Sequence, residues 1–209
     1  LERVAAAHAL SIEPTMVRSL IGKPLDVVLG TVLGTDDERV ITPAKAEFRR
    51  IFTEVVIPDA RSLVFDGVIG LLDMLAATSV PLAVVTSKIT ASADELLGAA
   101  GLDRYFPVVV GHDQAGRGKP APDLALHAAG LLGLPPAACV VVGDALDDIG
   151  MARAAGMRSI GVRWGVAELD RLVEAGASES VTDPGHLARV LTRLLQLADP
   201  ADAQLQDVR

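Results

Sequence analysis

Ala138-Cys139-Val140-Val141-Val142-Gly143-Asp144-Ala145-Leu146-Asp147-Asp148 changes character midway. An apolar run stops at a glycine and a carboxylate, and an acidic turn then leads into apolar residues at helical spacing as far as Ala155. A short run without polar alternation suits a strand buried on both faces, and the spacing after it suits a helix. The stretch predicts a strand over Ala138 to Val142 that delivers Asp144 to the entrance of the next helix.

The same unit repeats on both sides. Upstream, a helix over Val68 to Ala77 precedes a strand over Pro81 to Val85 that runs into Thr86-Ser87-Lys88. A helix follows, with Ser92 and Glu95 spaced as a capping box. Phe106 to Val110 reads as a second strand, followed by a glycine-rich loop to Lys119 and a helix over Pro122 to Leu132. Downstream come strands at Ser159 to Val162 and Ser178 to Val181, and a helix over His186 to Leu197. Strands alternating with helices predict an α/β fold, a parallel Rossmann-like sheet with helices on both faces. In such sheets ligands sit beyond the carboxyl ends of the strands.

Residues 1–61 have a different texture. Val4 to Leu10, Pro14 to Ile21, Leu25 to Leu33 and Thr42 to Val56 carry apolar residues at three- and four-residue spacing, with no strand candidate between them. The expected organisation is a helical domain over 1–61, an α/β core over 62–198 and a polar tail over 199–209. The chain opens at Leu1 without a methionine and already inside a helical pattern, so residues are expected ahead of it.

Composition narrows the function. The formal net charge is -8 and no basic run occurs, which argues against nucleic acid and anionic membrane as partners. Apolar runs are too short to span a bilayer. Cys139 is the only cysteine, so no intrachain disulfide forms, and a cytoplasmic protein is expected, as monomer or dimer.

Three polar groups follow strands: Thr86, Lys119 by way of its loop, and Asp144. A hydroxyl donor, an ammonium and a carboxylate on one sheet edge suit a phosphoryl group with a divalent metal, since hard cations prefer oxygen ligands. Each residue also has a plainer reading. Thr86 can be a helix-entry residue, and Asp144 and Asp148 can complement a helix dipole. Lys119 is harder to assign to solvent, because the chain has only four lysines and this one is held between Gly116, Gly118 and Pro120.

Taken in order, Val84-Val85-Thr86-Ser87-Lys88, Gly118-Lys119-Pro120-Ala121-Pro122-Asp123 and Val142-Gly143-Asp144-Ala145-Leu146-Asp147-Asp148 resemble motifs two, three and four of the haloacid-dehalogenase-like hydrolase superfamily. Met151 to Met157 resembles the helix after motif four. Gly161-Val162-Arg163-Trp164-Gly165 and Ala175-Gly176-Ala177 are similar to the phosphoglycolate phosphatase branch. The resemblance implies that the helical segment is an inserted C1-type cap. It implies that Thr86 and Ser87 bind the phosphoryl group, that Lys119 holds it, and that Asp144 and Asp148 serve Mg²⁺. Ile21-Gly22-Lys23-Pro24-Leu25 is similar to the family's specificity loop, which makes Lys23 the candidate for substrate selection, with Arg49 and Arg50 as weaker ones.

The family's first motif, an Asp-x-Asp pair at a strand end, has no counterpart after any strand here. Its strand is expected between the Pro81 strand and the Ala138 strand, carried on residues before Leu1, so the 209 residues alone are expected to be inactive. The expected activity is Mg²⁺-dependent hydrolysis of a small phosphoglycolate-like phosphate monoester through an aspartyl-phosphate. The alternatives are a sugar-phosphate mutase of the same superfamily and a non-catalytic phosphate-binding protein.

Overall fold

The computed structural model describes residues 1–197; the tail expected over 199–209 lies outside them. The helical segment consists of α1 (Glu2–Ala7), α2 (Pro14–Leu20), α3 (Leu25–Leu33) and α4 (Glu38–Val55). Val4, Leu29, Ile41 and Ala44 form its core. Helix α4 starts at Glu38, ahead of the expected Thr42. The Asp37 carboxylate accepts the Arg39 N–H at 2.9 Å, which caps the helix early. Pro43 therefore falls inside the helix and removes one backbone donor. Ile41 and Ala44 on either side of it are 3% and 2% exposed, and their burial holds the turn helical.

After a 3-10 stretch over Ile57–Leu63, the α/β part follows. Its elements are α5 (Val68–Ala77), β1 (Ala83–Val85), α6 (Thr90–Ala100), β2 (Val108–Val110), α7 (Asp123–Leu131), β3 (Val140–Gly143), α8 (Leu146–Ala154), β4 (Arg158–Val162), α9 (Leu169–Glu174), β5 (Glu179–Val181) and α10 (Pro184–Leu195). Helix α9 was not expected. It has only six residues, and Leu169, Leu172 and Val173 at helical spacing, of which Leu172 alone is buried, make a short signal. Among the described residues no helix is long and apolar enough to cross a membrane.

The capping box expected at Ser92 and Glu95 is not formed. Helix α6 begins earlier, at Thr90, and the Asp113 carboxylate accepts from both the Thr90 N–H (2.7 Å) and its hydroxyl (3.0 Å). Glu95 accepts instead from the Thr53 hydroxyl of α4 at 3.1 Å.

All strand pairs are parallel. β1 pairs with β2, matching Val85 to Val110, and β3, β4 and β5 pair in that order, matching Gly143 to Gly161 and Val162 to Val181. Two apolar cores flank these strands. Leu124, Ala128, Met151 and Ala152 of α7 and α8 pack with Val85 and Val141, while Leu75, Leu187 and Leu191 of α5 and α10 pack with Ile160, Val181 and Val140. The neighbours Val140 and Val141 thus serve opposite cores, as strand alternation requires.

The strands form two sheets, not one. The facing edges of β1 and β3 share no ladder, and a cavity of about 1180 Å³ lies between them. Leu71, Leu75, Ala125 and Leu187 help to line its apolar part, and the strand-end polar residues line it as well. Strand β1 is consequently only half-buried, and Val142 of β3 is 43% exposed.

Candidate active site

Lys119 is the hub of the polar end. Its ammonium donates to the Val85 carbonyl at 2.9 Å, at the end of β1, and to Asp148 Oδ1 at 2.7 Å, in the first turn of α8. One side chain therefore ties together the ends of β1 and β3 across the cavity. The loop that delivers it is braced by Arg117, which donates to both Asp123 oxygens at 3.1 and 2.9 Å.

The other oxygen of Asp148 reaches back to the N–H groups of Asp144 (3.3 Å) and Ala145 (3.2 Å). These donors stand at the start of a helix, where backbone N–H groups lack intrahelical partners. Gly143 makes the fit possible, since a Cβ there would stand 2.3 Å from Asp148 Cβ. Asp144 itself turns toward the loop after β4, where its Oδ2 accepts the Val166 N–H at 2.9 Å and its carbonyl accepts the Ala167 N–H at 3.0 Å. Gly165 permits that approach, because a Cβ there would lie 2.0 Å from Asp144 Cβ.

Thr86 follows β1. Its N–H donates to the Val110 carbonyl at 3.0 Å, and its hydroxyl oxygen accepts the Lys88 N–H at 3.2 Å. Thr86 and Ser87 line the same cavity, which also receives Lys119, Asp144 and Asp148. Lys23 lines it from the helical segment, with its ammonium paired to Asp147. Arg49 lines it too, whereas Arg50 is tied to Glu47 and Glu54 on the outer face of α4.

Sequence reasoning weighed Asp147 only as the competitor of Asp148 and assigned no role to Lys88, His112 or the Val166 N–H, although all four residues line this cavity. Burial pulls the Lys88 ammonium below its ordinary pKa. Its head lies over the Phe52 ring at 4.2 Å from the centroid. The sequence signal for the Val166 contact was present in Gly165, quoted above only as part of a family pattern.

The metal-binding potential follows from the donor set. Among the described residues no three His, Cys, Asp or Glu side chains converge to hold an ion by themselves. Mg²⁺ does not need such a cage, since it keeps several waters and takes one or two carboxylates plus substrate phosphate oxygens. Asp144 fits that requirement. One of its oxygens is held by Val166, which fixes the carboxylate and leaves Oδ1 for a cation. Both Asp148 oxygens are already engaged, so it fits a supporting place.

The chain resembles known proteins along most of its length. The sequence profile of the family described as "Haloacid dehalogenase-like hydrolase" matches residues 1–162. "Probable phosphatase IndB" of Dickeya dadantii (strain 3937) is 44% identical over 161 residues, 76% of this chain and 70% of that protein. A "Phosphoglycolate phosphatase" of Neisseria meningitidis is 37% identical over 123 residues, 59% of this chain; the match spans only 52% of that relative's length. The crystal structure of a β-phosphoglucomutase from Clostridium difficile shares the fold, with a TM-score of 0.81 over 93% of this chain and 87% of that one at 18% identity.

Proposed function

The chain belongs to the haloacid dehalogenase-like hydrolase family, and from that premise we propose that it serves a Mg²⁺-dependent phosphatase activity on small organic phosphate monoesters. The observation that carries this reading is the Lys119 bridge, which brings a hydroxyl-bearing strand end and a carboxylate-bearing strand end to one concavity. The relatives named as phosphatases point the same way, and phosphoglycolate is the substrate class suggested by one of their names.

In this proposal Thr86 and Ser87 donate to phosphoryl oxygens, and Lys119 offsets their charge as it rises toward the transition state. Mg²⁺, when bound at Asp144, supplies Lewis-acid stabilisation of the phosphoryl oxygens. Asp148 positions both neighbours, holding Lys119 with one oxygen and the Asp144 backbone with the other. The nucleophile is an aspartate on a strand that enters between β1 and β3, where two parallel edges face each other. Its carboxylate attacks phosphorus and the alcohol departs. Water then cleaves the acyl phosphate to restore the carboxylate and release inorganic phosphate. Residues 1–61 cover this site as a cap, and Lys23 is the cap residue nearest to a selecting role.

The test is phosphate release by the full natural chain from para-nitrophenyl phosphate, with Mg²⁺ and then with EDTA. Release that needs Mg²⁺ and no added sugar bisphosphate supports the phosphatase. A requirement for a bisphosphate activator would sink it in favour of a mutase.

A further inference from the structure

Gly150 is the fifth of the nine residues of α8, a position where glycine is less favourable than alanine. Its φ lies outside the left-handed region, so no backbone conformation asks for it. The space around it does. A Cβ at residue 150 would stand 2.9 Å from the Cβ of Pro120, in the loop between β2 and α7. Non-bonded carbons rest about 3.5–4.0 Å apart, so a side chain there needs up to about 1 Å more room. The atom it meets belongs to a ring and is one bond from the backbone. It cannot swing aside as the end of a long side chain would, and the loop itself has to move. Gly70 in α5, Gly98 in α6 and Gly130 in α7 have nothing within 4 Å of the same position, so such crowding is not general to glycines in these helices.

Pro120 directly follows Lys119, and Lys119 docks on the same helix. Its ammonium donates to Asp148 Oδ1 at 2.7 Å, two residues ahead of Gly150, and to the Val85 carbonyl at 2.9 Å. Two consecutive loop residues therefore meet α8 two residues apart, Lys119 at Asp148 and Pro120 at Gly150. Pro120 is exposed and belongs to neither apolar core, so the loop can lift from α8 and leave the fold intact. A lift carries the Lys119 backbone with it and draws the ammonium away from both acceptors.

We propose that Gly150 is a positioning residue for the reaction: having no side chain, it lets the Lys119-Pro120 segment seat on α8 and so fixes the Lys119 ammonium at the phosphoryl position. The catalytic consequence rests on the phosphatase reading; the seating does not. A reacting group moved by about 1 Å can cost on the order of 10²-fold in rate. The lysine stem is flexible and recovers part of the displacement, so about tenfold is expected from one methyl group. The loss should fall on kcat, because Lys119 answers charge that grows toward the transition state.

The experiment joins kinetics to a stability cycle on the full natural chain. With para-nitrophenyl phosphate, Gly150→Ala should lower kcat about tenfold and change KM by less than about twofold, while Gly98→Ala should leave both unchanged. Urea unfolding then asks whether the effect acts through Lys119. Lys119→Met shifts the unfolding midpoint downward in the wild-type background. In the Gly150→Ala background that shift should shrink to less than about half, because the pair with Asp148 is already loosened. In the Gly98→Ala background it should keep its full size. An unchanged kcat overturns the proposal. A lowered kcat with an undiminished Lys119→Met shift overturns it too, since the glycine would then serve packing in general, and so does a Gly150→Ala protein that cannot fold. A wild-type chain that leaves para-nitrophenyl phosphate intact removes the phosphatase reading instead, and the urea cycle still decides the seating.

Discussion

The Lys119 ammonium lies 2.7 Å from Asp148 Oδ1, and the two side chains are only 12% and 11% exposed. A buried pair of this kind adds little over an apolar pair, but losing one partner strands the other charge. Lys119→Met is therefore expected to destabilise the fold by about 3 kcal/mol, measured by urea unfolding. The double variant Lys119→Met/Asp148→Asn, whose amide oxygen can still accept the Asp144 and Ala145 N–H groups, should regain more than half of that loss. A double variant less stable than the single one would contradict the pairing.

Asp144→Asn should separate stability from chemistry. The amide oxygen still accepts the Val166 N–H, so the melting temperature should hardly move. Weakened metal stabilisation of several kcal/mol should reduce phosphate release on the order of 10²–10³-fold. Mg²⁺ titration of the residual rate should show a raised half-saturation concentration.

Gly165→Ala places a methyl group on top of Asp144, 2.0 Å from its Cβ. The carboxylate must move or the loop after β4 must open. The expected outcome is about 1–3 kcal/mol of destabilisation together with a loss of Mg²⁺-dependent turnover. Alanine at Gly98, which has open space around its Cβ position, is the control and should be silent on turnover.

Asp113 offers a pH signature. Burial tends to raise its carboxyl pKa, but the N–H and hydroxyl of Thr90 outweigh that and hold it below the ordinary value. A carboxyl depressed in the folded state stabilises above its unfolded pKa, and the contribution fades as pH falls through the folded one. Asp113→Asn should thus cost about 1 kcal/mol at neutral pH, a low figure because the contact is solvent-exposed. The stabilities of the two proteins should converge in acid below about pH 4.

The elements were legible where their apolar period was strong. α3 and α5 occupy the residues that their spacing indicates, Leu25–Leu33 and Val68–Ala77. Strands β1 and β2 came out shorter than their apolar runs, whereas β4 begins one residue before the expected Ser159. Pro81-Leu82 and Phe106-Pro107 lead into β1 and β2 without joining the ladder, which begins at Ala83 and Val108. Thr86, Lys119 and Asp144 were singled out because each follows a strand, where a parallel sheet displays its chemistry, and all three line one cavity. The contacts of Asp113 with Thr90 and of Asp144 with Val166 join residues 23 and 22 apart, and no local period announces such pairings. Lys88 stayed unread for a related reason: its burial beneath the Phe52 ring is a property of the folded surroundings and not of its neighbours in sequence.

The placement of the lysines also sets how the protein meets reagents. Acylating agents that seek primary amines ordinarily scatter over a surface, but here every lysine lines the same hollow, while the other permanently cationic side chains are guanidiniums. Labelling with such an agent becomes a site-directed footprint, in which a bound ester shields the targets together and mass spectrometry reads its occupancy.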